Sequence, residues 1–119
     1  MVTDKTIALI GAPTDIGAGH RGGSMGPEAL RVAGIETALR RRGLGVVDRG
    51  NVAGPVNPWN QAVDGYRHLE ETAYWCRVVR DAFYQSLERD ELPILLGGDH
   101  SLSIGSIAAQ QDRELVALQ

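Results

Sequence analysis

His100 stands in the stretch LPILLGGDHSLSIGS, where an apolar run ends at Gly97-Gly98 and Asp99, His100 and Ser101 follow. A neutral imidazole is the commonest side-chain metal ligand, and it coordinates through one nitrogen while a carbonyl or carboxylate holds the other. A pair of glycines lets the backbone turn sharply and approach a neighbour closely. Position matters as much as residue type, because ligands of open α/β sheets bind outside the carboxyl ends of the strands. On the pentapeptide alone, a metal ligand and a structurally satisfied histidine are evenly matched. A helix starting directly behind His100 would carry partial positive charge, which opposes a bound cation, so a metal site there needs several carboxylates. Asp99 is the only one close in sequence. His20 and His68 stand isolated and read as surface residues.

A second constellation, IGAGHRGG, places Gly17, Gly19 and Gly22 in a formal G-x-G-x-x-G, with Asp48 as an acidic partner further on. A dinucleotide site needs the first glycine in the turn directly after a strand and the third inside the helix. Here the strand ends near Gly11, Pro13 to Ile16 intervene, and no helix starts before Gly26-Pro27. The three glycines are therefore expected in a loop, and nucleotide binding is set aside.

The elements that must position these residues follow from the apolar pattern. Thr6 to Ile10 reads as a buried strand, and Ala12 to Gly26 as a long loop. Pro27 suits the first turn of a helix, with Glu28 favouring the same end. A second helical piece runs from Ile35 to Arg42, and Leu44 to Val47 with Asp48 reads as the next strand. Arg49 to Ala62 is expected to be a loop open to insertion or motion. Leu69, Thr72, Cys76, Val79, Phe83 and Leu87 recur every three or four residues, which marks an amphipathic helix of about six turns. Leu92 to Leu96 is a strand with Pro93 tolerated at its start. Ser101 is expected to N-cap a helix to about Gln110, and Leu115 to Leu118 to begin a fourth strand. Strands without alternation are covered on both faces, so the fold class is α/β with a parallel sheet.

The chain has 119 residues, 43% hydrophobic and 23% charged, which suits one soluble domain or part of one. With 12 Lys and Arg against 15 Asp and Glu, the net charge of -3 gives no reason to expect nucleic acid as a partner. The run Arg40 to Arg42 reads as a solvated helix end. Cys76, the single cysteine, falls on the helical stripe, so it reads as core and excludes an internal disulfide. No apolar run approaches a membrane span, and Met1 to Gly11 is too short and polar for a signal peptide. A cytoplasmic location and no membrane partner are expected.

IGAPTDIGAGHRGGSMGPEALRVAGI taken together with ILLGGDHSLSIGSI resembles the N-terminal part of the arginases, in the ureohydrolase family. The resemblance spans about Thr6 to Gln119, so residues 1–119 are expected to form a single partial domain. It implies a three-layer α/β/α sandwich with a mostly parallel sheet, incomplete in this chain. It also implies that His100 ligates one of two Mn2+ ions. Such a pair activates a bridging hydroxide that attacks the guanidinium carbon of L-arginine, giving L-ornithine and urea. Guanidinium is a poor electrophile, and a metal pair supplies hydroxide near neutral pH. The family's other ligands lie in D-A-H-x-D and D-x-D motifs, expected beyond the strand at Leu115. One metal ligand and no catalytic or cofactor-binding residue are thus expected here, with no turnover by these residues alone. Gly97, Gly98 and Asp99 are expected to shape the turn and support the ligand. The resemblance further implies a homo-oligomer, trimer or hexamer, when complete. HRGGSMGPEALR sits closer to the arginase pattern than to that of the agmatinases. Agmatine or another guanidino substrate stays open, as does a truncated, non-catalytic assembly partner.

Overall fold

The structure, a computed structural model, describes residues 4–117. Strand β1 (Ile7–Ala12) is followed by a 3-10 turn (Gly23–Met25), helices α1 (Gly26–Val32) and α2 (Ile35–Arg41), and strand β2 (Val46–Asn51). Helix α3 (Leu69–Glu88), strand β3 (Leu92–Gly97), a second 3-10 turn (His100–Leu102) and helix α4 (Ser103–Ala117) complete the order. The three strands are parallel in the order β2-β1-β3.

All six residues of β1 are buried, which accounts for its unbroken apolar run. Successive side chains of a strand point to opposite faces. Ile7 and Leu9 pack with Val46, Leu96, Ile35 and Leu39 on the α2 side. Ile10 and Ala12 pack with Trp75, Val79, Phe83, Leu102 and Ala109 on the α3 and α4 side. The result is a three-layer α/β/α arrangement, incomplete at three strands. Arg31 of α1 ties this layer to β2, donating from Nε and Nη2 to the two oxygens of Asp48 at 2.8 and 3.0 Å and from Nη1 to Asn51 at 2.7 Å. That bidentate pair holds the Asp48 carboxyl below its ordinary range.

Just before β3, Glu91 is buried. It accepts from Ser86 Oγ at 3.0 Å and from the Arg49 guanidinium, with Arg89 also beside it. Burial by itself raises its pKa, but the bonds from Arg49 and Ser86 outweigh this and hold it low.

Several expectations are corrected. Leu115 and Val116 do not open a strand but continue α4; Leu118 lies outside the described residues. A four-residue apolar run cannot by itself separate strand from helix. The helix formers before it and the Gln110 to Glu114 hydrogen bond at 3.2 Å let the local ladder propagate. β2 extends to Asn51, so Arg49 belongs to the strand and not to the loop. The buried stripe of α3 is Trp75, Val79, Phe83 and Ser86, while Leu69 is exposed.

Candidate functional site

The carboxyl ends of β1 and β3 open toward the turn that carries His100. Gly98 shows no left-handed backbone; its requirement is space, since a Cβ there would overlap the carbonyl oxygens of Thr14 and Ala12. The β3 turn is thereby seated directly on the chain leaving β1, and the Asp99 N–H donates to Thr14 O at 3.3 Å.

Asp99 organises the turn. Its Oδ1 accepts from the Ser101 N–H at 2.9 Å and from the Ser101 hydroxyl, and its Oδ2 accepts from the Gly17 N–H at 2.9 Å. Asp99, with extended backbone, is thus the N-cap of the 3-10 turn, and Ser101 lies inside it. This corrects the expected cap. An aspartate reaches the backbone N–H two residues ahead from this position and leaves a second oxygen for the neighbouring loop. Gly17 leaves no room for a Cβ, which would fall 2.6 Å from Asp99 Oδ1. The glycines of the G-x-G-x-x-G pattern lie before the first 3-10 turn, in the loop. One of them is bound to Asp99, and Asp48 is engaged by Arg31.

His100 is exposed on this turn, and its ring makes no hydrogen bond among the described residues. Its carbonyl accepts from Ser103 Oγ at 2.8 Å. From below, Cys76 Sγ on α3 donates to Ser101 O at 3.3 Å. Burial pushes the Cys76 thiol up, as suits a packing residue. Among the described residues no group of three His, Cys, Asp or Glu is placed to hold a metal ion. His100 is therefore a single available donor, set in a rigid frame.

The second loop at this end, residues 52–62, is tied down at several points. Trp75 Nε1 donates to Pro55 O at 2.9 Å, and Asn57 Nδ2 donates to Asp15 O at 3.1 Å and to Asp15 Oδ1 at 3.2 Å. The Asn60 N–H donates to His68 Nε2 at 3.0 Å, and His68 Nδ1 contacts Ile16 O at 3.1 Å. A backbone N–H can only donate and a carbonyl can only accept, so the tautomer of His68 is set, with the proton on Nδ1. His68 is therefore not a surface residue as expected. It is buried, in left-handed backbone at the start of α3, and pins two loops to that helix. No periodicity signals this, because its partners lie 8 and 52 residues away. His20 is exposed, as expected.

Sequence reasoning also passed over Asp15, Asn57 and the stacking of the Arg21 guanidinium on Trp59, 4.9 Å from the ring centroid. The available signal was their position in the loops that follow β1 and β2, the end where ligands bind.

The pattern that defines the Arginase family matches residues 5–118. An arginase of Agrobacterium fabrum is 36% identical over 117 residues, covering 93% of this chain and 35% of that protein. One from Brevibacillus brevis is 30% identical over 105 residues, covering 88% and 35%. The native structure of the arginase from Bacillus caldovelox superposes with a TM-score of 0.82 at 33% identity, over 92% of this chain and 37% of that one. The chain thus spans little more than a third of the length of these relatives.

Proposed function

This chain belongs to the arginase family, and on that premise we propose that it forms the N-terminal part of an arginase-type ureohydrolase, which converts L-arginine to L-ornithine and urea. The observation that carries the reading is the turn itself. Asp99 spends its carboxylate on backbone N–H groups of two loops, and the neighbouring imidazole of His100 stays exposed at the carboxyl end of a half-buried parallel strand. In this reading His100 supplies one ligand of a manganese pair, whose chemistry is to provide hydroxide near neutral pH. The other ligands come from outside the described residues, since none of these form a cluster with it. The part played by this stretch is positional. Gly98 and Asp99 fix where the imidazole stands, and the negative Asp99 offsets the partial positive charge of the following helical turn.

The test is urea release by the intact protein with Mn2+, on L-arginine and on agmatine. Turnover of arginine that is lost in His100→Ala, with the fold intact by circular dichroism, supports the reading. A preference for agmatine moves the assignment to the agmatinases, and full activity in His100→Ala removes His100 from the site. Residues 1–119 alone are expected to release no urea. Oligomer formation, trimeric or hexameric, belongs to the same proposal and is read by light scattering.

A further inference from the structure

A cleft of about 610 Å³ opens between the loop after β1 and the loop after β2, with Asp15, Arg21, Val52, Pro55, Trp59 and Trp75 among its walls. It shares no lining residue with the surface around His100. Its walls carry opposite charges that are not paired with each other. The Arg21 guanidinium carbon sits over the Trp59 ring, 4.9 Å from its centroid, and the side chain makes no hydrogen bond or ion pair among the described residues. Stacking of this kind holds a guanidinium in place while its N–H edge stays free to receive a carboxylate. Asp15 is buried, yet lines the same cleft. Its carboxylate is oriented by Asn57 at 3.2 Å and by the Gly22 N–H at 3.4 Å. Two carboxylate oxygens offer about four acceptor positions, so two remain after these bonds.

We propose that this cleft is a subsite for a free α-amino acid, with its carboxylate on Arg21, its ammonium on Asp15 and an aliphatic side chain along Val52, Pro55 and Trp75. Formal charge favours this ligand class over its competitors. One cation and one anion in the same cleft suit a zwitterion. A phosphate dianion would meet a single guanidinium and be repelled by Asp15, and a diamine would leave Arg21 opposed. The cleft is held open by bonds already made, from Trp75 to Pro55 and from Asn57 to Asp15, so little ordering is left to be done on binding.

The experiment is a fluorescence titration of the intact, EDTA-treated protein with L-leucine. Trp59 and Trp75 are the two tryptophans of this sequence, and both line the cleft; the Trp59→Phe variant identifies their share of the signal. A saturable change is expected, with a Kd on the order of 1 mM, weakened roughly tenfold or more in Arg21→Gln. Arg21 is exposed, so this variant leaves the fold intact, whereas Asp15→Asn also loosens the Asn57 loop. Two controls replace that second variant: 4-methylpentanoate lacks the ammonium and isoamylamine lacks the carboxylate. Both are expected to bind at least about tenfold more weakly than leucine. Binding of 4-methylpentanoate as tight as that of leucine overturns the zwitterion assignment. So does leucine binding that Arg21→Gln leaves unchanged, or no saturable signal at all. No metal and no turnover enter the measurement, so its failure is distinct from failure of the hydrolytic reading.

Discussion

β3 carries a carboxylate at each end, and the two are used in opposite ways. Glu91 at the amino end is buried and surrounded by donors, with Ser86 and Arg49 bonded to it and Arg89 close by. Asp99 at the carboxyl end bonds to backbone N–H groups and to Ser101, and leaves its neighbour His100 open. The first end is closed and ties β2, the end of α3 and the start of β3 together. The second is rigid in its backbone and unfilled in its side-chain chemistry. Both have a carboxylate beside the strand, so the difference lies in whether a cation is delivered to it. Two arginines show the same contrast: Arg31 is spent on Asp48 and Asn51, whereas Arg21 is stacked on a ring and makes no hydrogen bond among the described residues.

This contrast can be broken by substitution. The largest effect is expected for Gly98→Val, where the new side chain meets two carbonyl oxygens. A loss of about 3 kcal/mol by urea denaturation is expected from such overpacking, and wild-type stability in this variant would show that the two strands need not approach so closely. Glu91→Ala strips the closed end and leaves Arg49 and Ser86 without their acceptor. About 2 kcal/mol is expected to be lost, against the 3–5 kcal/mol (roughly) of a fully buried pair, because Arg49 is partly exposed. Asp99→Ala removes a cap and a loop staple and is expected to cost about 1 kcal/mol. A cost equal to that of Glu91→Ala would mean that the two ends are alike after all. His100→Ala is expected to stay within about 0.5 kcal/mol of wild type, since the ring has no hydrogen-bond partner among the described residues to lose.

Acid sharpens the same comparison. The fold holds Glu91 and Asp48 below their ordinary carboxyl range. The unfolded chain therefore takes up these protons first as pH drops. The stability they contribute is whole above the ordinary range, near about pH 4 to 5, and is lost as pH falls through the lowered native values. The thermal midpoint should decline through that window, and less steeply in Glu91→Gln. An unchanged slope in that variant would remove Glu91 as a source of acid sensitivity.

Much of the layout was legible in the sequence because it is local. β1, buried on both faces, declares itself as an apolar run, and the second helical piece starts at Ile35 as expected, behind Gly34 with its left-handed backbone. The stripe of α3 was legible at Val79 and Phe83, which are buried as expected, but not at its amino end. The run LEETAYWC offers both Leu69 and Trp75 as apolar anchors, and only packing against the sheet buries Trp75 and leaves Leu69 in water. The fourth strand was misread for a related reason: Leu115 and Val116 are apolar enough for either state, and the continuing helical ladder decided between them.

At the candidate site, the sequence by itself determined that Gly97, Gly98, Asp99 and His100 stand at the carboxyl end of a strand, because the apolar run and its termination lie within a dozen residues; the expected cover on both faces is not found, since only Leu96 of β3 is buried. Only the tertiary structure decided what those residues do to one another and to the rest. Asp99 meets Gly17 across 82 residues, His68 reaches Ile16 across 52, and Asn57 meets Asp15 across 42. No local pattern encodes such pairs. They arise because a parallel sheet brings the carboxyl ends of β1, β2 and β3 to one edge, and the buried backbone there takes its hydrogen bonds from whichever side chains arrive.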